Sequence, residues 1–398
     1  MRLLITTTAY FPEEQNGPAR LAHDLALESV RQGHEVWLIS QTVNSGVPRH
    51  IADQGLHVLR YKLAPARGLD VLRHLRHINA TKSLLTEYVG IAPDAIHGHD
   101  FFTYVAALDH YRDARPRTCY SIHSPATDEL AIVWQAQGTK GLLRQVLGLP
   151  IIRHYERRVL SASDALAAES SFTRSRIEAI YDRELSDRIQ VIPGWIESGR
   201  FAILPPDQVR QVRQRLGWPL GRPVFFSLRR LEVRMGLDRF LHAIAEVRQS
   251  GLDVYTVIAG SGGERQALED LREQLGLQEH VEFMGRVSEE LLPLAYGASD
   301  ASIIPTRALE CFGIIALEGM ATGRPVLVTP IGSLPEVVGA FEPQWVAAGN
   351  EASHIAAIMR AFLQGQLPEH APETIAQYVS DHYQFSHSDQ QYRVLLGL

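Results

Sequence analysis

Apolar residues along this chain recur with two spacings, one that suits strands and one that suits helices. Short runs rich in Val, Ile and Ala alternate with longer segments in which apolar residues repeat every three or four positions. In the segment Ala19–Gln32, for example, Leu21, Leu25 and Val30 share one helical stripe, and Gly33 follows as a C-terminal stop. This alternation is typical of parallel sheets with helices on both faces.

The predicted strands form two series, separated by a proline-rich passage. The first series is Leu3–Thr7, Val36–Ile39, Val58–Tyr61, Ala95–His97, Thr118–Ile122, Ala165–Ala167 and Val191–Pro193. The second is Val224–Ser227, Tyr255–Ala259, Val281–Phe283, Ala301–Ile304 and Val326–Thr329, with helical stretches at Leu237–Gln249 and Glu264–Leu275. The passage between them contains Pro193, Pro205, Pro206, Pro219 and Pro223 and is a candidate linker.

Two such series predict two Rossmann-like, doubly wound α/β domains. We place the first domain at residues 1–195, the second at 196–375 and a closing helical segment at 376–398. A length of 398 residues supports this division, because it exceeds what one core usually holds. The two domains are expected to face a central cleft at the carboxyl ends of their strands, where such sheets bind ligands.

Composition narrows the range of partners and locations. A formal net charge of -6 provides no overall basic field, so nucleic acid is not an expected partner. Cys119 and Cys311 lack the paired spacing of a disulfide scaffold or a zinc cluster, which fits a reducing cytoplasm. No stretch approaches the ~20 apolar residues that span a bilayer. We therefore expect a cytoplasmic protein, either soluble or peripheral to a membrane.

Basic residues that interleave with leucines in the first half suggest one membrane contact. Amphipathic helices of this kind can rest on anionic membrane surfaces, where lipid-linked acceptors would lie. Solvated helix faces are the alternative interpretation. The residues are Arg60, Lys62, Arg67, Arg73, Arg76, Lys82, Lys140, Arg144, Arg153, Arg157 and Arg158.

The most informative segment, Ile303–Pro325, reads as a strand, a loop with Glu310, and a helix that starts near Phe312 or Gly313 and ends at Gly323. A helix N-terminus presents free N–H groups and a positive dipole to a phosphate, and glycine permits close approach. Glu310 could then meet a sugar. The carboxylate of Glu318, inside the helix among apolar neighbours, could accept hydrogen bonds from paired ribose hydroxyls.

This segment resembles the family 4 glycosyltransferases. That family's signature is two glutamates separated by seven residues with Phe-Gly after the first, which Glu310, Phe312-Gly313 and Glu318 match. The following segments Gly323–Val326 and Gly332–Val338 match as well. The resemblance implies a GT-B fold and a retaining, metal-independent transfer of sugar from a nucleotide-diphosphate sugar to a hydroxyl of a glycan, lipid-linked or small-molecule acceptor. The nucleotide sugar is a co-substrate, and no cofactor is implied.

The resemblance also implies roles for individual residues. It places Glu310 by the donor sugar as a catalytic residue and Glu318 on the ribose hydroxyls. The amides from Phe312 through Gly313 and Ile314 to Ile315 would bind the diphosphate.

Further segments fit the same family. Tyr10–Pro12 and Asn16–Pro18 stand where the family has a glycine loop, although Gly17 is single where a pair is usual, and an ordinary turn is an equal alternative. The strand Thr118–Ile122 leads into His123, which corresponds to a histidine beside the donor sugar and is predicted to be catalytic. His97, His99 and Asp100 are weaker candidates. No third or fourth ligand accompanies them, so we expect no metal site.

The family also places an arginine and a lysine on the donor diphosphate. Counting back from Gly236 puts Arg230 at the arginine position and Met235 at the lysine position. Since no lysine follows Lys140 in the chain, we expect Arg234 to replace it, because guanidinium binds phosphate well.

Two more residues complete the predicted donor site. Gly285 and Arg286 resemble the family's segment around the nucleotide base.

The alternatives to a glycosyltransferase are a nucleotide-sugar epimerase, a phosphorylase or a non-catalytic nucleotide-sugar-binding protein of the same fold. A lysine-free second half disfavours a pyridoxal-dependent phosphorylase. A dehydrogenase is disfavoured because no Gly-x-Gly-x-x-Gly opens a helix after a strand.

Overall fold

The computed structural model describes residues 1–11, 13, 16–42, 46–53, 55–63, 73–135, 138–197 and 199–398. The chain forms two compact units, residues 1–193 with 386–398, and residues 194–385. The first division, at 193/194, lies two residues from the expected boundary at 195/196. The second, at 385/386, lies ten residues after the expected boundary at 375/376, because the helix Pro372–His382 packs in the second unit. Each unit is an α/β structure built on a largely parallel sheet. The predicted fold class of two doubly wound domains is confirmed.

The first unit alternates strands and helices. Its strands are β1 Arg2–Thr6, β2 Glu35–Gln41, β3 His50–Asp53, β4 Leu56–Tyr61, β5 Ala95–Gly98, β6 Arg117–Ile122, β7 Ala165–Ala168 and β8 Ile189–Val191. Its helices are α1 Gly17–Arg31, α2 Arg73–Tyr88, α3 Phe101–His110, α4 Ala126–Gln135, α5 Gly138–Ala162, α6 Ser171–Ile180 and α7 Arg183–Asp187. The strand order is β3-β4-β2-β1-β5-β6-β7-β8. Strand β1 lies between β2 and β5, so the polarity of the winding changes there.

Two strands of this sheet differ from the prediction by more than a small shift of their ends. The sequence reading missed β3, which pairs antiparallel with β4 at the sheet edge. Its residues His50–Asp53 carry little of the apolar alternation that identifies a strand. The last strand, predicted at Val191–Pro193, runs from Ile189 to Val191. Proline lacks the N–H that a sheet position needs, so the strand ends before it.

The predicted basic surface of this unit is only partly a helix surface. Arg60 belongs to β4 and is buried, and its Nε donates to Oε1 of Glu13 at 2.6 Å. Lys82 and Arg158 both bond to Asp109, while Arg157 bonds to Asp182. Arg67, like Pro12 of the predicted glycine-loop segment, lies outside the described residues.

The second unit repeats the same plan. Its strands are β9 Val224–Leu228, β10 Tyr255–Ala259, β11 Val281–Gly285, β12 Ala301–Ile304 and β13 Val326–Val328. Its helices are α8 Pro206–Leu216, α9 Leu237–Gln249, α10 Arg265–Gln274, α11 Leu292–Ala298, α12 Ile314–Ala321, α13 Leu334–Val337, α14 Ala352–Leu363 and α15 Pro372–His382. All paired strands are parallel, in the order β11-β10-β9-β12-β13.

The proline-rich passage is not an open linker, which corrects the sequence reading. Pro206 opens α8, where its missing N–H costs no hydrogen bond. Phe201 and Trp218 are buried in the core of the second unit. Arg213 is also buried, and its Nε donates to the carbonyl of Ala298 at 2.8 Å. Prolines here start and end packed segments.

The last helix, α16 Phe385–Leu396, belongs for nearly all of its length to the first unit. The hydroxyl of Ser121 on β6 donates to the Tyr392 hydroxyl at 3.3 Å, and Arg117 donates to the carbonyl of Leu395 at 3.0 Å. The C-terminal helix of the chain is therefore part of the first unit, although it follows the second unit in sequence. In the described part of the chain, no helix is long and apolar enough to cross a bilayer.

Gly98, at the end of β5, allows the central sheet to pack closely on α3. A Cβ at this position would lie 2.4 Å from the fully buried ring of Tyr104. We expect Gly98→Ala to lower the free energy of unfolding by about 1–3 kcal/mol, because an overpacked core must shift to admit the methyl group. Urea unfolding measures the difference. Gly90→Ala is the matched control, since a Cβ there meets nothing within 4 Å. Equal stability of the two variants would contradict the expectation.

Candidate functional site

The carboxyl edge of the second sheet gathers the loops that carry most of the predicted site residues. Because β9 and β12 are parallel neighbours, the loop 229–236 after β9 lies beside the loop 305–313 after β12. The loops after β10, β11 and β13 end at the same edge. Sheet order thus brings together segments that are far apart in the sequence.

A buried ion pair joins the two central loops. Nη2 of Arg229 donates to Oε2 of Glu310 at 2.5 Å and to Oγ1 of Thr306 at 2.6 Å. The Thr306 hydroxyl also donates to Oε2 of Glu310 at 2.9 Å. The side chains of Arg229 and Glu310 are only 5% and 14% exposed. Glu310 is therefore held in one orientation by partners from both loops.

This pairing sets the charge of Glu310. Burial alone would raise the pKa of its carboxyl group, but the adjacent Arg229 guanidinium outweighs burial, through its charge and its hydrogen bond. The charge of Arg234 and the Thr306 hydroxyl act in the same direction. The net effect lowers the pKa below its usual range. Glu310 is a carboxylate at neutral pH.

Arg234 supports the backbone of the Glu310 loop. Its Nη1 donates to the carbonyl of Leu309 at 2.9 Å. Leu309 has φ 56°, the left-handed region that residues other than glycine rarely occupy. The carbonyl of Arg234 in turn accepts from the amides of Arg307 at 2.9 Å and Ala308 at 3.2 Å. The loop 305–313 is thus held in this conformation by hydrogen bonds to Arg234 in the loop after β9.

Glycines at two contacts let these loops approach. Gly332, after β13, has φ +66° and lies where a Cβ would be 2.0 Å from the carbonyl oxygen of Glu310. The next amide, of Ser333, donates to that carbonyl at 2.8 Å. Gly236, at the end of the loop after β9, would place a Cβ 2.0 Å from the carbonyl oxygen of Pro305. Only glycine fits where backbones come this close.

Helix α12 starts where the sequence predicted. Gly313 is its N-cap, in the left-handed conformation with φ 83°, and Ile314 and Ile315 form the first turn. The first amides of a helix have no partner within it, so this end can receive an anion. The side chain of Phe312 is buried, and a Cβ on Gly194 would lie 2.7 Å from its ring. Phe312 therefore anchors the helix start and offers a ligand only its backbone.

Glu318 has a protein partner that the sequence did not reveal. It is 7% exposed on α12, and the hydroxyl of Tyr296 on α11 donates to its Oε2 at 3.1 Å. The tyrosine is itself fully buried, and burial together with the charge of Glu318 raises its pKa well above the usual value. Tyr296 therefore stays neutral and donates its hydrogen.

The remaining predicted residues of the second unit lie at the same edge. The side chain of Arg230 is 54% exposed, and its Nη1 lies 3.3 Å from Oε1 of Glu232. Met235 is buried in the core, so its position presents no side chain to a ligand. The carbonyl of Gly285 accepts from the amide of Gly260 at 2.7 Å, and Arg286 donates to the Ser261 hydroxyl at 3.2 Å.

The first unit has its own cluster at the carboxyl edge. Three neighbouring strands, β5, β6 and β7, end before His99, His123 and Glu169. Nδ1 of His123 bonds to Oε1 of Glu169, and its Nε2 lies 2.8 Å from Nδ1 of His99. Because a carboxylate only accepts, Nδ1 of His123 carries hydrogen. Both ring nitrogens are engaged within the chain, so a ligand would have to replace His99.

The other histidines of this cluster are neutral. Burial, with the charge of neighbouring His123, lowers the pKa of His97 to about 3. Burial is also the main cause that lowers the pKa of His99 well below its usual value, and repulsion from protonated forms of His97 and His123 would act in the same direction. Nε2 of His97 lies 2.8 Å from the Ser121 hydroxyl. Over the described residues, no group of three or more His, Cys, Asp or Glu side chains is arranged to hold a metal ion.

Gly17 lies at the carboxyl edge of the same sheet, as the first residue of α1. The Asn16 side chain caps this helix by accepting from the amide of Ala19 at 2.9 Å. Strands β1 and β5 are neighbours, so the start of α1 and the histidine cluster follow adjacent strands.

Sequence reasoning missed Arg229, Thr306, Tyr296 and Glu169. Arg229 and Glu169 each directly follow a strand, which is the signal that could have selected them. Arg229 was overlooked because the adjacent Arg230 matched the family pattern. Tyr296 lies on α11, and only three-dimensional packing brings it to Glu318.

Two family models match the chain. Glycosyltransferase Family 4 matches residues 15–200, and Glycosyl transferases group 1 matches residues 208–379. An uncharacterised glycosyltransferase of Methanocaldococcus jannaschii is 28% identical over 341 residues, which cover 85% of this chain and 83% of the relative.

Solved glycosyltransferase structures share the fold. Sucrose-phosphate synthase from Thermosynechococcus elongatus aligns with a TM-score of 0.81 at 18% identity, over 100% of this chain and 99% of that one. Anabaena HepE in complex with UDP-glucose aligns with a TM-score of 0.73 at 17% identity, over 100% of both chains.

Removing the cation beside Glu310 is expected to destabilise the fold in a pH-dependent way. The lowered pKa of Glu310 means that the pair stabilises the fold above about pH 4.5 and loses this contribution as the pH falls. In Arg229→Met, the Glu310 carboxylate stays buried but loses its cation, so the free energy of unfolding should fall by about 3 kcal/mol at pH 7. The loss should be smaller at pH 4, where Glu310 of the variant can be protonated and carries no charge. Urea unfolding at both pH values measures this.

Arg230→Met is the matched control, because its exposed pair with Glu232 should contribute less than about 1 kcal/mol. A pH-independent loss in Arg229→Met, or an equal loss in both variants, would show that the charge pair is not the cause.

Proposed function

We propose a specific reaction for this chain, which belongs to glycosyltransferase family 4 and has the GT-B fold. The chain transfers a sugar from a nucleotide-diphosphate sugar to an acceptor hydroxyl, with retention of configuration. The observation that carries the proposal is the buried carboxylate of Glu310. It is oriented by Arg229 and Thr306 in the loop that leads into α12, whose N-cap is Gly313. A fixed negative charge close to a helix N-terminus that can receive a phosphate supports this proposal.

The donor diphosphate would lie at the start of α12. The leaving nucleotide diphosphate gains negative charge as the glycosidic bond breaks, so the site must supply positive charge and dipoles. The first amides of α12 and the guanidinium groups of Arg230 and Arg234 supply them. With these groups in place, the departure of the leaving group needs no divalent cation.

Glu310 would act on the sugar in its ionised form. Because Arg229 keeps its pKa low, Glu310 is unsuited to donate a proton at neutral pH. Its charge can instead hold a hydroxyl of the donor sugar and stabilise the positive charge that develops on the sugar ring as the bond to the diphosphate breaks.

Glu318 would bind the ribose hydroxyls. Its Oε2 accepts from Tyr296, which fixes the plane of the carboxylate before the donor arrives. A carboxylate has about four acceptor positions, so a ribose hydroxyl pair can be accommodated beside the tyrosine. Gly285 and Arg286, at the end of β11, are proposed to border the base.

The first unit would provide the acceptor side. His123 is proposed to contact the donor sugar. Gly17 is proposed to belong to the loop that faces the donor and the acceptor. His123 reaches this role through exchange of its Nε2 bond, from His99 to a ligand hydroxyl. Glu169 holds the opposite nitrogen and sets the ring orientation.

Incubation with a panel of nucleotide sugars, followed by detection of released nucleotide diphosphate, tests the proposal directly. Nuclear magnetic resonance of the product then reports its anomeric configuration. An α-linked product from an α-linked donor is expected. Absence of donor turnover across the panel, or an inverted product, would refute the corresponding part of the proposal.

The two glutamates should fail in different ways. Glu310→Gln should lower kcat by at least about 100-fold, because it removes charge at the reacting sugar. Glu318→Gln should mainly raise the KM for the donor, by about tenfold, since it weakens ribose binding. Steady-state kinetics separate the two effects. Glu273→Gln, at an exposed position on α10, is the control. Near-normal turnover in both site variants would contradict the proposed roles of Glu310 and Glu318.

Arg230 should contribute to donor affinity without contributing much to stability. Arg230→Gln should weaken binding of the free nucleotide diphosphate by about tenfold, because one exposed guanidinium contact to phosphate is lost. Isothermal titration calorimetry measures this. Arg248→Gln is the matched control, since Arg248 lies near the end of α9, at the opposite edge of the sheet. Equal affinity of the two variants would remove Arg230 from the donor site.

A further inference from the structure

The first half of α5 exposes an apolar stripe. Leu142 and Val146 are 61% and 63% exposed, and Leu143 and Leu147 are 45% and 48% exposed. With 3.6 residues per turn, these four side chains form one continuous face of the helix. Contiguous exposed apolar surface is uncommon on monomeric soluble proteins and marks an interaction site.

The opposite face of the same helix is small and polar. Gly141 is buried, and Nε2 of Gln145 donates to the carbonyl of Ala131 on α4 at 2.8 Å. A Cβ on Gly148 would lie 2.6 Å from the ring of Trp134, so glycine lets α4 pack closely there. The amphipathic pattern is therefore reversed, because an ordinary surface helix buries its leucines.

The second half of α5 is anchored in the usual way. Ile152, Val159 and Leu160 are buried. Glu156 is also buried, and it accepts from the amides of Ala126 at 2.6 Å and Thr127 at 3.2 Å, which caps the start of α4. The exposed stripe thus belongs to a helix that is held at its base, and its outward direction is set by packing.

The charges around the stripe indicate what covers it. The segment 138–155 contains Lys140, Arg144 and Arg153 but no aspartate or glutamate, in a chain whose net charge is -6. Apolar side chains flanked by cations alone are typical of helices that lie in the interface of an anionic bilayer. A protein-binding face usually has a polar rim of both signs.

We propose that Leu142, Leu143, Val146 and Leu147 dock this chain on the surface of an anionic membrane. The four side chains enter the boundary between headgroups and acyl chains, and α5 lies in the plane of the membrane. Lys140 meets the lipid phosphates. The proposal stands on the surface of the first unit and holds whether or not the transferase proposal does.

Vesicle sedimentation of the full chain tests the docking. The vesicles contain phosphatidylcholine with about one third phosphatidylglycerol, and a parallel set contains phosphatidylcholine alone. The chain should sediment with the anionic vesicles at low salt and much less with the neutral ones. The double variant Leu142→Gln/Val146→Gln should lower the partition coefficient by at least about tenfold.

The matched control is Leu220→Gln/Val394→Gln, which removes one leucine and one valine that are 51% and 73% exposed elsewhere. It should bind as the parent does, and circular dichroism should report equal folding for all chains. Equal binding by both double variants, or no binding by the parent, overturns the proposal. A parent dimer that Leu142→Gln/Val146→Gln dissociates, without vesicle binding, would assign the stripe to a second copy of the chain.

Discussion

The buried pair of Arg229 and Glu310 is the interaction on which the arrangement of the second unit's edge depends. Each residue follows a strand, and the two strands are neighbours only because the sheet is wound in the order β9 then β12. A carboxylate buried to this extent would be costly without its cation. The same contact that satisfies this charge therefore also fixes the distance between two loops.

Around that pair, the loops form a layer of backbone contacts. Gly332 and Gly236 permit approaches that any side chain would block, and Arg234 holds the carbonyl of a left-handed leucine. These contacts leave few soft dihedral angles near Glu310. The contacts therefore restrain the backbone at this edge, which would suit the proposed role of Glu310 in stabilising charge at a short-lived transition state.

Much of this organisation could be read from the sequence, because strand and helix spacing depends on local apolar patterns. The strands Tyr255–Ala259 and Ala301–Ile304 and the helix Leu237–Gln249 have their predicted bounds. The start of α12 was also predicted, since Gly313 stands directly before the apolar run that forms the helix. By contrast, β3 has no clear apolar alternation, and the prolines of the supposed linker open or border packed segments.

The side-chain partners were harder to predict, because they arise from packing between elements distant in sequence. No residue near Glu318 in the sequence indicates that Tyr296 is its hydrogen-bond partner. Arg229 was not selected because its neighbour Arg230 matched the family pattern. The histidine cluster shows the same limit: His123 was found, but its link to Glu169 requires knowing that β6 and β7 are adjacent.

The reversed amphipathicity of α5 also affects how the protein behaves in the laboratory. In plain buffer the chain presents a fixed hydrophobic surface to air, plastic and other molecules of its own kind. Adsorption to vessel walls would then remove protein at low concentration, while self-association would hide it at high concentration. A small amount of non-ionic detergent, which shields the stripe without entering the packed core, becomes a sensible component of any solution in which the chain is studied.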